Sequence, residues 1–319
     1  MFKKLFLPGG MIAAVILSFL CPEAGTFIKK SCGSSIFIIL IFLVCGYQLQ
    51  LKEMKFDRKF LAAFILCALL SLCAAPWMGY LAGKIFCLDM LALTGLVVMS
   101  SVPPTLSSGI VMAETAEGNV MLGVIMTVFY NLIGVLTMPV MLGWILSSGT
   151  KIETDPLKMF LQLLLFVVVP FLAGFGIKKL LKKKAPSILG YVPSACVILL
   201  ILSFFSSAAA QFKAYPVKVL LLAAAAAVIM RIGIMLILWY GGKVLKMSVE
   251  DRKAAIFTAG SKTLTIALTL LAILKIGDGP AVIPCMVFYF LQSMIDASLA
   301  GKMGISAAKA REGGQSPAA

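Results

Sequence analysis

Ten runs of mostly apolar residues follow one another along this chain, near residues 5–22, 34–51, 60–83, 88–116, 119–147, 156–180, 189–210, 216–245, 252–275 and 280–303. A length of about 20 residues is what an α-helix needs to cross a hydrocarbon core of about 30 Å. In lipid, helices and closed barrels are the structures that satisfy every backbone polar group internally, and continuous runs of this length favour helices. Only 13% of the residues are charged, against about 25% in soluble domains. The expectation is an all-α polytopic membrane protein of ten transmembrane helices, with the lipid bilayer as its surroundings.

A formal net charge of +15 points at first to nucleic acid or acidic partners. The positions of the basic residues explain it otherwise. With the N-terminus inside, the inner segments carry 18 of the 28 Lys and Arg and the outer segments 8, leaving Arg231 and Lys262 within runs. The excess of positive charge on one side orients the chain with both termini in the cytoplasm, as in a bacterial inner membrane, with no nucleic-acid partner. The opening "MFKKLFLPGGMIAAVILSFLC" also has the layout of a cleaved leader. Cleavage would leave nine spans and spoil the charge asymmetry, and "SFLC" lacks the small residues that cleavage needs.

The eight cysteines form no CxxC pair, and most lie in or beside apolar runs, where a thiol behaves as a small hydrophobe. The chain contains no histidine. Histidine-based metal sites and histidine acid–base catalysis are therefore excluded, which argues against an enzyme, and no cofactor is implied.

The chain also repeats itself. Val128-Phe129-Tyr130 in the fifth run recurs as Val287-Phe288-Tyr289 in the tenth, an offset of 159 residues, which also aligns Gly118 with Gly277. Ten spans divided five and five enter the membrane from opposite sides, the inverted repeat of many secondary transporters. The expected division is 1–150 for the first repeat and 151–304 for the second, with 305–319 as a tail of disordered composition.

In such repeats the site lies where both halves carry a broken helix. The offset sets Pro103-Pro104 in "SSVPPTLSSG" (Ser100 to Gly109) against Lys262-Thr263 in "TAGSKTLTIA" (Thr258 to Ala267). Pro103 and Pro104 lack amide protons and clash with the preceding turn, so the fourth run breaks there. Thr105, Ser107 and Ser108 follow as candidate caps of the next half-helix, whose positive end suits an anionic group. In the ninth run the break is signalled by Gly260 and Ser261, with Thr263 and Thr265 as capping hydroxyls.

Lys262 is the sharper clue, because a charge near the bilayer centre costs at least about 2.5 kcal/mol on insertion scales. Three assignments compete: snorkelling to the cytoplasm, pairing with a buried carboxylate, or serving as a fixed or titrating cation at a transport site. Candidate partners are Asp296 in the tenth run and Glu114 or Glu117 at the end of the fourth. Arg231 has two readings, substrate-anion binding or structural pairing. Gly123, Thr127 and Asn131 form a polar stripe at i, i+4, i+8 on the fifth run, read as part of the site or as interhelical hydrogen bonding.

"GYQLQLKEM" closing the second run, "PPTLSSG" in the fourth, "EGNVMLGVIMT" in the fifth and "GSKTLTIAL" in the ninth resemble, in order and spacing, the bile acid:sodium symporter superfamily, solute carrier family 10. The likeness is nearest its divergent member-7-like branch. That resemblance implies a core domain whose fourth and ninth helices cross, a panel domain, substrate bound beside the crossing, and sodium held by the fourth, fifth and ninth helices. Ser107 and Ser108 then match the family's Ser-Asn pair, and Thr127 its fifth-helix threonine, so Ser107, Ser108 and Thr127 form the implied sodium site; Gly123 replaces a serine. The family's ninth-helix Glu and Gln fall on Thr258 and Lys262. Loss of that carboxylate puts sodium coupling in question, since a hard cation wants charged oxygen ligands.

The reading is a secondary transporter of a small organic anion. Its expected substrate-binding residues are Pro104, Thr105, Ser107, Asn131, Ser261, Lys262 and Thr263, and its expected coupling residues Ser107, Ser108, Thr127, Thr258, Lys262 and Asp296, with the Lys262 ammonium in place of one sodium ion. The rivals are a proton or cation antiporter of related fold using Asp296 or Glu114, and a non-transporting membrane regulator.

Overall fold

The computed structural model describes residues 2–48, 58–105, 108–149, 155–181, 186–276 and 280–312. Among them there is no strand. The helices are α1 (Phe2–Leu20), α2 (Pro22–Gln48), α3 (Arg58–Ala68), α4 (Ala75–Ile85), α5 (Met90–Ser101), α6 (Ser108–Thr115), α7 (Val120–Gly149), α8 (Pro156–Leu163), α9 (Val169–Leu181), α10 (Val192–Ala214), α11 (Val217–Val244), α12 (Val249–Phe257), α13 (Leu264–Ile273) and α14 (Val282–Glu312). Among the described residues, six helical stretches of 20 to 28 residues are long and apolar enough to cross a membrane: Phe60–Ile85, Val120–Ser147, Pro156–Leu181, Ile188–Ser207, Val217–Val244 and Val282–Ala307. Shorter apolar helices cover Ser35–Gln48, Met90–Ser101 and Leu264–Ile273.

Two of the long stretches contain a π-helical turn, Leu69–Ala74 joining α3 to α4 and Leu164–Val168 joining α8 to α9. Each lies just ahead of a proline, Pro76 or Pro170. A proline ring collides with the carbonyl four residues back, here that of Leu72 or Phe166. Widening the turn around that carbonyl keeps the helix continuous.

The helices pack as two groups. In one, α2 lies along α9 and α10, and α1 along α10. In the other, α4, α5, α11 and α14 pack together around α6, α7, α12 and α13. The groups meet where α13 touches α2, α14 touches α10, and α7 touches the π turn ahead of α9. Within the first group α2 and α9 come unusually close: a Cβ at Gly46 would strike the Phe171 carbonyl, and one at Gly174 would strike the Leu43 carbonyl.

Large apolar side chains are exposed over the outside of the molecule, and two cations lie in its interior. Leu20, Leu180 and Ile85 are exposed, whereas Arg231 and Lys262 are fully buried. That inversion suits a lipid surround.

Two sequence expectations differ from the structure. The second apolar run begins at residue 34, but α2 begins at Pro22, a residue the first helical turn tolerates, and its added turns pack closely on α10, where a Cβ at Gly25 would meet the Leu202 carbonyl. The segment 305–319, expected to be disordered, is helical through Glu312 as the continuation of α14; residues 313–319 lie outside the described ones.

Candidate functional site: two crossed helix breaks

Asp89 caps the start of α5 by accepting the Ala92 amide at 2.8 Å. The helix ends at Ser101, and Val102 is extended (φ −70°, ψ 151°), as a residue before proline prefers. Pro103 and Pro104 can donate nothing, so the backbone at this depth depends on distant partners. Three successive carbonyls find them. Val102 O accepts from Lys262 Nζ at 3.1 Å, Pro103 O from the Thr263 amide at 3.2 Å, and Pro104 O from Asn131 Nδ2 at 3.0 Å. Thr105 then caps α6, its Oγ1 accepting from the Gly109 amide at 3.0 Å and from Ser108 Oγ at 2.8 Å.

In the ninth run α12 starts from Ser248, whose hydroxyl accepts the Asp251 amide at 3.0 Å, and ends at Phe257. The chain turns through Thr258–Gly260 and is not helical again until Leu264. Gly109 lets the two breaks approach, because a Cβ there would meet the Phe257 carbonyl. The Thr105 amide points at Ser261 Oγ at 3.4 Å, and Ser261 Oγ donates to Thr258 O at 3.0 Å. Thr263 occupies the N-cap of α13, but its hydroxyl makes no capping bond. The capping role expected for Thr263 is therefore corrected: its backbone, not its side chain, holds the break through Pro103.

Lys262 is wholly buried, which rules out snorkelling. Its amide donates to Gln292 Oε1 at 2.8 Å and its carbonyl accepts from Gln292 Nε2 at 3.0 Å, so one side chain of α14 replaces both helical bonds lost at the break. The ammonium donates to Ser71 O at 2.5 Å, to Ser71 Oγ at 3.4 Å and to Val102 O. Ser71 lies in the π turn between α3 and α4, where the widened register turns a carbonyl away from the ladder. All three acceptors are neutral oxygens.

Asp296, weighed as a partner for Lys262, is held instead by Arg231: Nε and Nη2 reach Oδ1 at 2.9 and 2.5 Å. Glu114 is exposed. Thr127 and Asn131 stand one turn apart on α7, both buried, and Asn131 Nδ2 also donates to Thr127 O at 2.8 Å. Among the described residues, Thr127 Oγ1 and Asn131 Oδ1 have no hydrogen-bond partner. Thr258 is buried, with its hydroxyl on Ala254 O at 2.6 Å, and a Cβ at Gly123 would meet its methyl group. Ser107 lies outside the described residues. The structure thus gathers Pro104, Thr105, Asn131, Ser261, Lys262 and Thr263 at one crossing, with Ser108 and Thr127 beside it. Ser71 and Gln292 were missed by sequence reasoning; the available signals were a serine within the apolar third run and a glutamine one helical turn before Asp296 in the tenth.

A narrow cavity of about 20 Å³ lies against the crossing, between the two helix groups. Thr105, Thr263, Thr265 and Tyr289 line it from one group, Ile41 and Cys45 from the other. A cavity of that size admits a water or a small ion.

The model of the SBF-like CPA transporter family matches residues 6–304. The chain is 27% identical over 187 residues to "Probable sodium/metabolite cotransporter BASS4, chloroplastic" of Oryza sativa subsp. indica, covering 59% of this chain and 43% of that one. It is 25% identical over 312 residues to the protein of the same name from Arabidopsis thaliana, covering 92% and 71%. A "Sodium/bile acid cotransporter 7" of Mus musculus is 25% identical over 180 residues, covering 54% and 52%. The chain therefore spans about half the length of the rice and mouse relatives.

Proposed function

We propose that this chain, which belongs to the SBF-like CPA transporter family, carries a small organic anion across the membrane by alternating access. It is an integral membrane protein of a family of transporters, not enzymes. The observation that carries the reading is the crossing itself, where two interrupted helices meet at buried depth and a fully buried ammonium bridges their broken backbone.

The finer architecture we propose is ten spans in two inverted repeats, 1–150 and 151–304, with the breaks of the fourth and ninth spans crossing. It is supported by element boundaries at the 159-residue offset. Adding 159 to the bounds of Arg58–Ile85 gives those of α11, Val217–Val244. The same shift carries the left-handed Cys87 (φ 49°) onto Lys246 (φ 55°), and the N-cap Asp89 onto the N-cap Ser248. The charge asymmetry supports cytoplasmic termini, in a bacterial inner membrane.

The starts of α6 and α13 flank the cavity through Thr105 and Thr263, and helix N-termini favour anions. Movement of one helix group against the other would widen the cavity for a substrate. A sodium ion suits Thr127 Oγ1 and Asn131 Oδ1, which have no hydrogen-bond partner among the described residues, because a hard cation takes oxygen ligands; Ser107 and Ser108 are the further ligands that the family resemblance implies. Lys262 takes the place of a second cation, its ammonium already among three oxygens. Bound sodium would add positive charge that attracts the substrate anion. An antiporter is the weaker reading: Asp296 is engaged by Arg231 and Glu114 is exposed.

The test is a thermal-shift screen of organic acids, with and without sodium, followed by uptake of the hit into proteoliposomes. A stabilising acid that is transported supports the reading. If wild type and Lys262→Ala share the same sodium requirement, Lys262 does not replace a cation. A silent screen would favour a non-transporting membrane regulator.

A further inference from the structure

Arg231 has no part in the proposed transport site, yet it is fully buried midway along α11. Its guanidinium gathers three oxygens from two elements. Nη1 donates to Gly260 O at 2.5 Å and Nη2 to Ile256 O at 3.1 Å, both at the end of α12, while Nε and Nη2 reach Asp296 Oδ1 on α14. A Cβ at Gly260 would strike Nη1, so the glycine keeps this space open for the guanidinium.

The oxygens are grouped for a reason that does not depend on arginine. A helix C-terminus leaves its last carbonyls without amide donors and carries partial negative charge. Asp296 brings a full negative charge to the same point. One carboxylate and two carbonyl oxygens facing a common centre are the ligand chemistry of a hard cation. The end of α5 has a parallel arrangement, with Val102 O, Ser71 O and Ser71 Oγ around Lys262 Nζ. At the repeat offset Arg231 falls on Leu72, next to Ser71, so the two cations neutralise corresponding ends of the two halves.

We propose that Arg231 is a tethered cation filling an alkali-metal-type oxygen cage formed by Asp296, Ile256 O and Gly260 O. The end of α12 is then neutralised permanently by the chain itself and makes no demand on ions from solution. An ordinary structural ion pair makes a different prediction: once cut, it is not restored by a small ion, whereas a cage can be refilled. The inference rests on this geometry and not on the transport reading.

The experiment follows thermal unfolding of the detergent-solubilised full chain at pH 8, titrating sodium chloride against N-methyl-glucamine chloride at constant ionic strength. For Arg231→Ala we expect a saturable, sodium-specific rise in Tm of several degrees beyond any rise in wild type, lost in Arg231→Ala/Asp296→Asn. Equal response to the two salts, or an unchanged sodium response in the double variant, overturns the proposal. If Arg231→Ala is not monodisperse, Arg231→Gln takes the same titration. Failure of both variants to fold in sodium also overturns it, since a refilled cage should restore the fold.

Discussion

The Thr263 amide donates to the Pro103 carbonyl at 3.2 Å, so the two helix breaks are joined backbone to backbone. Prolines at 103 and 104 remove two donors and end α5 at Ser101, which leaves the Val102, Pro103 and Pro104 carbonyls outside any helical ladder. The ninth-run break supplies donors in return, from the Thr263 amide and the Lys262 ammonium, and α7 supplies a third from Asn131. Each break therefore satisfies a deficit of the other, as backbone polar groups away from water require.

Gln292 is the clamp that makes this exchange possible. Gln292→Ala leaves the Lys262 amide and carbonyl without partners, at roughly 1–3 kcal/mol for each buried group. Gln292→Glu, when ionised, keeps the acceptor but loses the donor, so it is expected to be destabilised as well. Thermal unfolding in detergent checks this. An alanine variant that melts with wild type would show that Gln292 is incidental.

Covalent constraints made half of the crossing legible in the sequence. A Pro-Pro pair must break a helix, and a lysine ten residues into an apolar run must find oxygens, whatever the rest of the fold does. Which oxygens it finds is a tertiary fact. Ser71 looks like any serine in an apolar helix until Pro76 forces the π turn around it, and Gln292 matters only because Lys262, far away in sequence, has lost its helical partners. Arg231 could be read in either of two roles and Asp296 as a partner of Lys262, but their pairing with each other could not be assigned, since nothing local places α11 and α14 side by side.

Thr127→Val separates a sodium ligand from a packing residue. The hydroxyl oxygen has no partner among the described residues, so replacing it by a methyl group of similar shape removes an unsatisfied polar atom. In sodium-free buffer the variant is expected to match or exceed wild-type stability. In sodium it should lose any stabilisation that wild type gains. Comparing Tm in sodium and N-methyl-glucamine chloride reads both effects. A loss of stability without sodium would instead show that the hydroxyl has a partner in solution.

Tyr215, in the link between α10 and α11, donates its hydroxyl to Asp89 Oδ2 at 2.7 Å. Partial burial first, and then the bond to Asp89, push the phenol above its ordinary value of 10.0. A phenol whose folded value is raised contributes stability that is present below pH 10 and lost as pH rises above it. The residue is partly exposed and its partner charge is screened, so the effect is small. Wild type should lose stability between pH 9 and about pH 11 slightly faster than Tyr215→Phe, by denaturation at fixed ionic strength. Parallel profiles would mean that the bond does not persist in solution.

The contact of α2 with α9 gives a prediction about packing. A Cβ at Gly174 would strike the Leu43 carbonyl, and one at Gly46 would strike the Phe171 carbonyl. Backbone oxygens cannot rotate aside as a side chain can, so either alanine must push the helices apart, at roughly 1–3 kcal/mol. In a membrane, close backbone approach through small residues is a main source of helix association, because lipid is as apolar as the side chains. The two glycines lie on facing sides of one contact, so a single displacement relieves both clashes. Gly46→Ala/Gly174→Ala should therefore cost less than the sum of the single variants, a coupling that a double-mutant cycle on Tm or detergent unfolding measures directly. Strict additivity would show that the helices relax locally at each site and do not separate as rigid bodies.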